Sequence, residues 1–152
     1  MATVDQTMMK VQRILTGPLK LRIQLDGELI SVSFTDSSTV VHVRIIDWGK
    51  NKDGEPRSLV RVSAPVLREV KPTPQLFEYL CREAPKNWFG SPWVNDDQNS
   101  PGNVFISMGQ TLLGDYLDEE ELATALWAVL AAADELDDKL QAKFGGKRYV
   151  DK

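Results

Sequence analysis

The sequence holds a single histidine, His42, and a single cysteine, Cys81. The two could form a Cys-His nucleophile pair, since separation along the chain does not exclude contact in space. Nothing local supports the pair: no nucleophile motif surrounds Cys81, and its helical apolar neighbours mark it as a small buried side chain. One histidine cannot build an ordinary His-rich zinc site, so His42, on the alternating stretch Val40 to Ile46, reads as a strand residue. Asp134, Asp137 and Asp138 lie close together, and Asp134 with Asp138 has the i,i+4 spacing that could hold a divalent cation. No Glu-x-x-His partner accompanies them, and Lys139 and Lys143 partly neutralise the region. Neither Gly49 to Gly54 nor Gly109 to Gly114 has the Lys and Ser/Thr of a phosphate loop, and no nucleophile elbow is present. The expectation is a chain without catalysis, metal or cofactor. A small enzyme using His42 and Cys81, or the acidic cluster around Asp134, is the alternative.

The aromatic residues are more informative. Trp48 stands at a strand end, and Trp88, Phe89 and Trp93 fall within six residues beside Gly90 and Pro92. Large rings outside regular elements can close the end of a core under a helix. They can also line a groove for another chain, since Trp is enriched at protein contact surfaces. Trp48, Trp88, Phe89 and Trp93 are therefore the candidate partner-binding residues.

The elements that must position them follow from periodicity. The longest pattern is near the C-terminus, where Leu122, Leu126, Val129, Leu130, Ala133, Leu136, Leu140 and Phe144 recur at spacings of three and four. Asp118 caps this helix and Glu121 completes a capping box, Leu117 and Leu122 fit a hydrophobic staple, and Gly145 and Gly146 end it. Thr3 to Thr16 predicts a first helix ended by Gly17 and Pro18. Leu19 to Leu25 alternates as a half-buried strand, and Asp26-Gly27 turns it into a second strand with Ile30, Val32 and Phe34 on one face. After a turn at Asp36 to Ser38, Val40 to Ile46 is a third strand. Asp47 to Ser58 reads as a long polar hairpin loop before a fourth strand, Leu59 to Ala64. Pro65 to Lys71 leads out of the sheet, and Thr73-Pro74 starts a helix to about Glu83, with Leu76, Phe77, Leu80 and Cys81 inward. An irregular strand around Trp93, a polar loop from Asp96 to Gly102 and a last strand from Asn103 to Met108 complete the chain. The order α-β-β-β-β-α-β-β-α implies a two-layer α+β domain over 1–152, an antiparallel sheet with helices on one face.

Composition narrows the class of partner. The 152 residues carry 18 Lys and Arg against 22 Asp and Glu, a net charge of -4 with its excess around the last helix. Nucleic acid is not expected, and Lys147-Arg148 reads as a solvated tail. The start, MATVDQTMMK, has neither the basic residues nor the apolar core of a signal peptide, no run approaches a membrane span, and the lone cysteine fits a reducing compartment. A cytoplasmic location without membrane insertion is expected.

Three stretches give a further indication: Ser107 to Asp115 (SMGQTLLGD), the helix start Leu117 to Leu122 (LDEEEL), and Ala133 to Asp138 running on to Phe144-Gly145-Gly146. With the order of elements, they make the chain resemble the small bacterial chaperones of type III secretion, of the CesT type, and the related YbjN-like domains. The resemblance is one of pattern over nearly the whole chain, and the tail is most similar to YbjN-like proteins. It implies a non-catalytic chaperone or adaptor that holds an extended segment of a client protein, as a homodimer, or else a regulatory subunit of a signalling or secretion complex.

Overall fold

The computed structural model describes residues 2–37 and 39–151. Helix α1 (Val4–Thr16) begins with a reciprocal cap, in which the Gln6 N–H donates to the Thr3 hydroxyl and the Thr3 N–H to the Gln6 side chain. Past its end, the N–H groups of Leu19 and Leu21 turn back to the carbonyls of Ile14 and Leu15, and Lys20 is held at φ 51°. Those bonds remove Leu19 to Leu21 from the expected strand, so β1 is only Arg22–Asp26. It pairs with β2 (Leu29–Ser33) across Gly27-Glu28, and Gly27 takes the positive φ the tight loop needs. The next turn contains Thr35 and Asp36, while Ser38 lies outside the described residues.

Two strands run well past their apolar patterns. β3 is Val40–Lys50 and β4 is Pro56–Val70, so the long loop expected from Asp47 to Ser58 is a ladder closed by Asn51 to Glu55. Asp47 pairs with Ser58 and Lys50 with Pro56 around a bulge. Past Ser58, which is buried against Thr7 of α1, the ribbon projects beyond the helices and its side chains are exposed or half-buried, Trp48 among them. β4 also continues through Pro65, where the sequence suggested an exit. Its last β3 pair is Ser63 with His42, and its pairs with β7 (Lys147–Arg148) are at Leu67 and Arg68, so Pro65 falls between two neighbours on that side and its missing N–H is not needed. Lys147-Arg148 is thus a short strand rather than a solvated tail.

Helix α2 (Pro74–Glu83) starts at Thr73, whose hydroxyl accepts the Leu76 N–H, and runs into a 3-10 turn, Ala84–Lys86. It is rotated from the expected phase. Leu76 and Leu80 are buried and the Tyr79 ring packs edge-on against Phe144 at 5.7 Å, whereas Phe77 and Cys81 are exposed. Position 79 shares the Leu76/Leu80 stripe, so an aromatic ring with a polar tip sets the phase, and Cys81 is not a core residue. β5 (Ser91–Asp96) is a regular antiparallel strand, and β6 (Val104–Leu113) extends five residues past Met108. Helix α3 (Glu119–Phe144) has its cap at Asp118, which accepts the Glu121 N–H, and ends at Gly145 with φ 72°. Every leucine and valine of its stripe is buried.

The antiparallel sheet runs β1-β2-β3-β4-β6-β5, with β7 beside β4. Ile30, Val32, Val41, Val43, Ile45, Val60, Val62, Ala64 and Met108 point to one side and are buried, and α1 and α3 lie over them. This is the expected α+β architecture, helices on one face of an antiparallel sheet. Among the described residues no helix is long and apolar enough to cross a membrane.

Candidate functional site

Because side chains alternate along a strand, the residues between those core positions point to the opposite face of the sheet, over which no helix packs. The register arranges them in rows. Ile46, Leu59 and Leu113 form an apolar row. Asp26, Leu29, Arg44, Arg61 and Thr111 form the next, across five strands. Gln24, Ser31, His42, Ser63, Gly109 and Ser91 form a third, with hydroxyls at three of its six positions.

Trp93 belongs to this face. It pairs with Ser107, and its indole lies flat over Gly109, where a Cβ would fall 2.2 Å from the ring. The Arg61 guanidinium stands 5.1 Å from the ring centroid on the same surface. Gly109, read from sequence only as an unsuitable phosphate loop, is therefore the seat for a tryptophan. Trp48 sits at the far end of β3, 49% exposed, with the Arg57 guanidinium 4.2 Å from its ring centroid. Arg57 Nε in turn approaches the buried carboxylate of Asp115 at 3.6 Å.

The other two rings lie elsewhere. Trp88 is 93% exposed in the loop before β5. Phe89 lies on the helix side of the sheet, beside Gln110, Leu112 and Thr124. The four candidate rings do not line one pocket: Trp48 and Trp93 mark two ends of the uncovered face, and Trp88 and Phe89 round the β5 edge to the other side. A cavity of about 440 Å³ that the sequence did not signal lies at the opposite corner, where Leu19, Leu21, Phe34, Trp127 and Leu130 meet a polar rim that includes Lys20, Asp36 and Asp134. Its rings, Phe34 and Trp127, meet with centroids 4.7 Å apart at a tilt of 59°, although Trp127 is outside the helical stripe.

The side chains that could do chemistry are apart. His42 is on the uncovered face, its Nδ1 3.3 Å from the Ser31 hydroxyl, and its pKa is lowered from 6.5 by burial and then by the Arg44 charge. Cys81 is exposed on α2, which packs beside β5, two strands beyond β4 in the sheet order. The acidic cluster is engaged otherwise: Asp134 accepts from Thr39 and Asp138 pairs with Arg148 at 3.0 Å. Burial raises the Asp137 pKa. Among the described residues no three His, Cys, Asp or Glu side chains converge as metal ligands do.

The family model described as T3SS (YopN, CesT) and YbjN peptide-binding chaperone 1 matches residues 5–152. No curated protein matches the chain.

Proposed function

From the premise that this chain belongs to the family of type III secretion and YbjN peptide-binding chaperones, we propose that residues 1–152 act as one non-catalytic domain in the bacterial cytoplasm. It holds an extended segment of a client protein as a chaperone or adaptor. The observation that carries the reading is the uncovered sheet face, with the apolar row Ile46, Leu59 and Leu113 along it and a tryptophan at each end. In this reading the client crosses the face between Trp48 and Trp93 and passes round the β5 edge, where Trp88 and Phe89 take its side chains. A strand buried on one side and open on the other suits such a ligand, because a flat surface with spaced rings accepts many sequences.

The test is capture of a client from the native cytosol, compared between wild type and single ring variants, with the melting temperature of each. Trp88→Ala should reduce capture and leave stability unchanged, because so exposed a ring contributes little to folding. Trp93→Ala should reduce capture more than its loss of stability explains. If neither variant changes capture while Trp127→Ala abolishes it, the client occupies the Phe34/Trp127 cavity and this placement is wrong. The homodimer implied by the family belongs to the same reading, and light scattering tests it as a mass twice that of one chain.

A further inference from the structure

The uncovered face carries a charge that the chain as a whole does not. Net charge is -4, yet Arg22, Arg44 and Arg61 project from this side, against Asp26 at the hairpin corner. Arg44 and Arg61 are directly opposite each other on β3 and β4, and both are exposed. Like charges in that position repel and destabilise a sheet. Among the described residues neither of them, nor Arg22, has a carboxylate within salt-bridge distance. The repulsion is left uncompensated at the centre of the surface, between the apolar row and the hydroxyl row.

We propose that the client segment on this face is acidic: an extended stretch with Asp or Glu at positions i and i+2 and apolar residues farther along in the same phase, its carboxylates held by Arg44 and Arg61. The proposal rests on the peptide-holding reading above and names the chemistry of its ligand. Arginine presents a planar fork of N–H donors that matches a carboxylate in two places. Arg61 is pre-positioned by the Trp93 ring, which leaves the rim of its guanidinium free for an acceptor. In an extended chain, residues two apart face the same way about 6.6 Å from each other, within the spread of two long arginine side chains on paired positions. Apolar residues farther along the segment, in phase with the two carboxylates, then meet Ile46, Leu59 and Leu113, and its backbone meets the hydroxyls of Ser31 and Ser63. A single-stranded nucleic acid fits less well, because Trp93 already lies against Gly109 with Arg61 beside it and offers no free ring face for a base.

Two labelled peptides test this by fluorescence anisotropy, one with two glutamates two residues apart followed in the same phase by valines, and one with every glutamate replaced by glutamine. The wild-type protein should bind the glutamate peptide at least about tenfold more tightly, and added salt should shrink the difference. Arg44→Gln with Arg61→Gln should remove the preference while keeping the glutamine peptide's affinity. Arg44→Glu with Arg61→Glu should reverse it towards a lysine peptide. Both arginines are exposed, so the variants should fold, and their circular dichroism and melting temperature establish that. Equal affinity for the two peptides overturns this inference and leaves the peptide-holding reading standing. Binding of neither peptide overturns both. A preference for a thymidine oligonucleotide over the glutamate peptide also overturns the inference, as does a dimer that the charge-reversed pair dissociates, since the face would then be covered by a second copy.

Discussion

Adding one methyl group at Gly109 should unseat Trp93. A Cβ on Gly109 would lie 2.2 to 2.4 Å from three atoms of the indole, far inside contact distance, so the ring has to move. Gly109 does not have a positive φ, so alanine brings no backbone strain of its own. Trp93 is half-buried, and a tryptophan buries ~150–250 Å² when enclosed. Losing ~100 Å² of that cover costs about 2.5 kcal/mol at 25 cal/mol per Å². Loss of the Arg61 contact adds ~0.5–1 kcal/mol. Against this, alanine is favoured over glycine in a strand by roughly 0.5–1 kcal/mol, and the displaced ring will recover part of its cover. The expected net loss for Gly109→Ala is about 1–2.5 kcal/mol, a fall in melting temperature of roughly 2–10 °C for a chain of this size. Urea denaturation of Gly109→Ala, Trp93→Ala and the double variant closes the cycle. With Trp93 removed, Gly109→Ala should be neutral or stabilising by about 0.5 kcal/mol, which gives a coupling of roughly 1–3 kcal/mol. The same loss in both backgrounds, or a change within about 0.5 kcal/mol in the wild type, would refute the packing of the ring on Gly109.

Leu126→Ala and Leu130→Ala should each cost ~2–5 kcal/mol in chemical denaturation, since both leucines are buried on the inner stripe of α3; a cost below about 0.5 kcal/mol would mean that stripe is not packed. Thr7 and Ser58 share a buried hydroxyl hydrogen bond of 2.6 Å that ties α1 to β4, so Ser58→Ala should cost about 1–3 kcal/mol by leaving Thr7 unpartnered, and pairing it with Thr7→Val should recover most of that. Stability should fall as pH drops through about 6.5, because burial and Arg44 lower the His42 pKa in the folded protein and the unfolded chain therefore binds the proton first. The loss should level off below the folded pKa. His42→Gln should flatten that part of the stability curve, and an unchanged slope would show that other groups produce it.

Local patterns were enough for the helices and their ends, the core face of β2 and the α+β class. These are matters of nearest neighbours: a stripe such as Leu122 to Leu140, a cap such as Asp118, or the alternation of Ile30 and Val32 records which side of a local element avoids water. Where the local record faded, so did the reading. β3 and β4 continue beyond their apolar patterns because cross-strand hydrogen bonds hold a ribbon whose side chains past Ser58 are exposed or half-buried. Pro65 was compatible with the sheet only because of which strands flank β4 there. Cys81 and Phe77 were misplaced because Tyr79 sets the phase of α2 through a partner, Phe144, far along the chain.

The rings at 48, 88, 89 and 93 were legible as candidates from residue type and neighbouring Gly and Pro, but their division between two faces of the sheet was not. Arg44 and Arg61 were passed over altogether. Arg44 stands out of phase with Val41, Val43 and Ile45, and Arg61 with Val60 and Val62, which was the available signal that each points away from the core. That the two stand opposite each other, beside a tryptophan seated on a glycine, depends on the register of β3, β4 and β6. Register is a relation between segments distant in sequence, set by the packing of all their core faces at once, and so only the tertiary structure decided it.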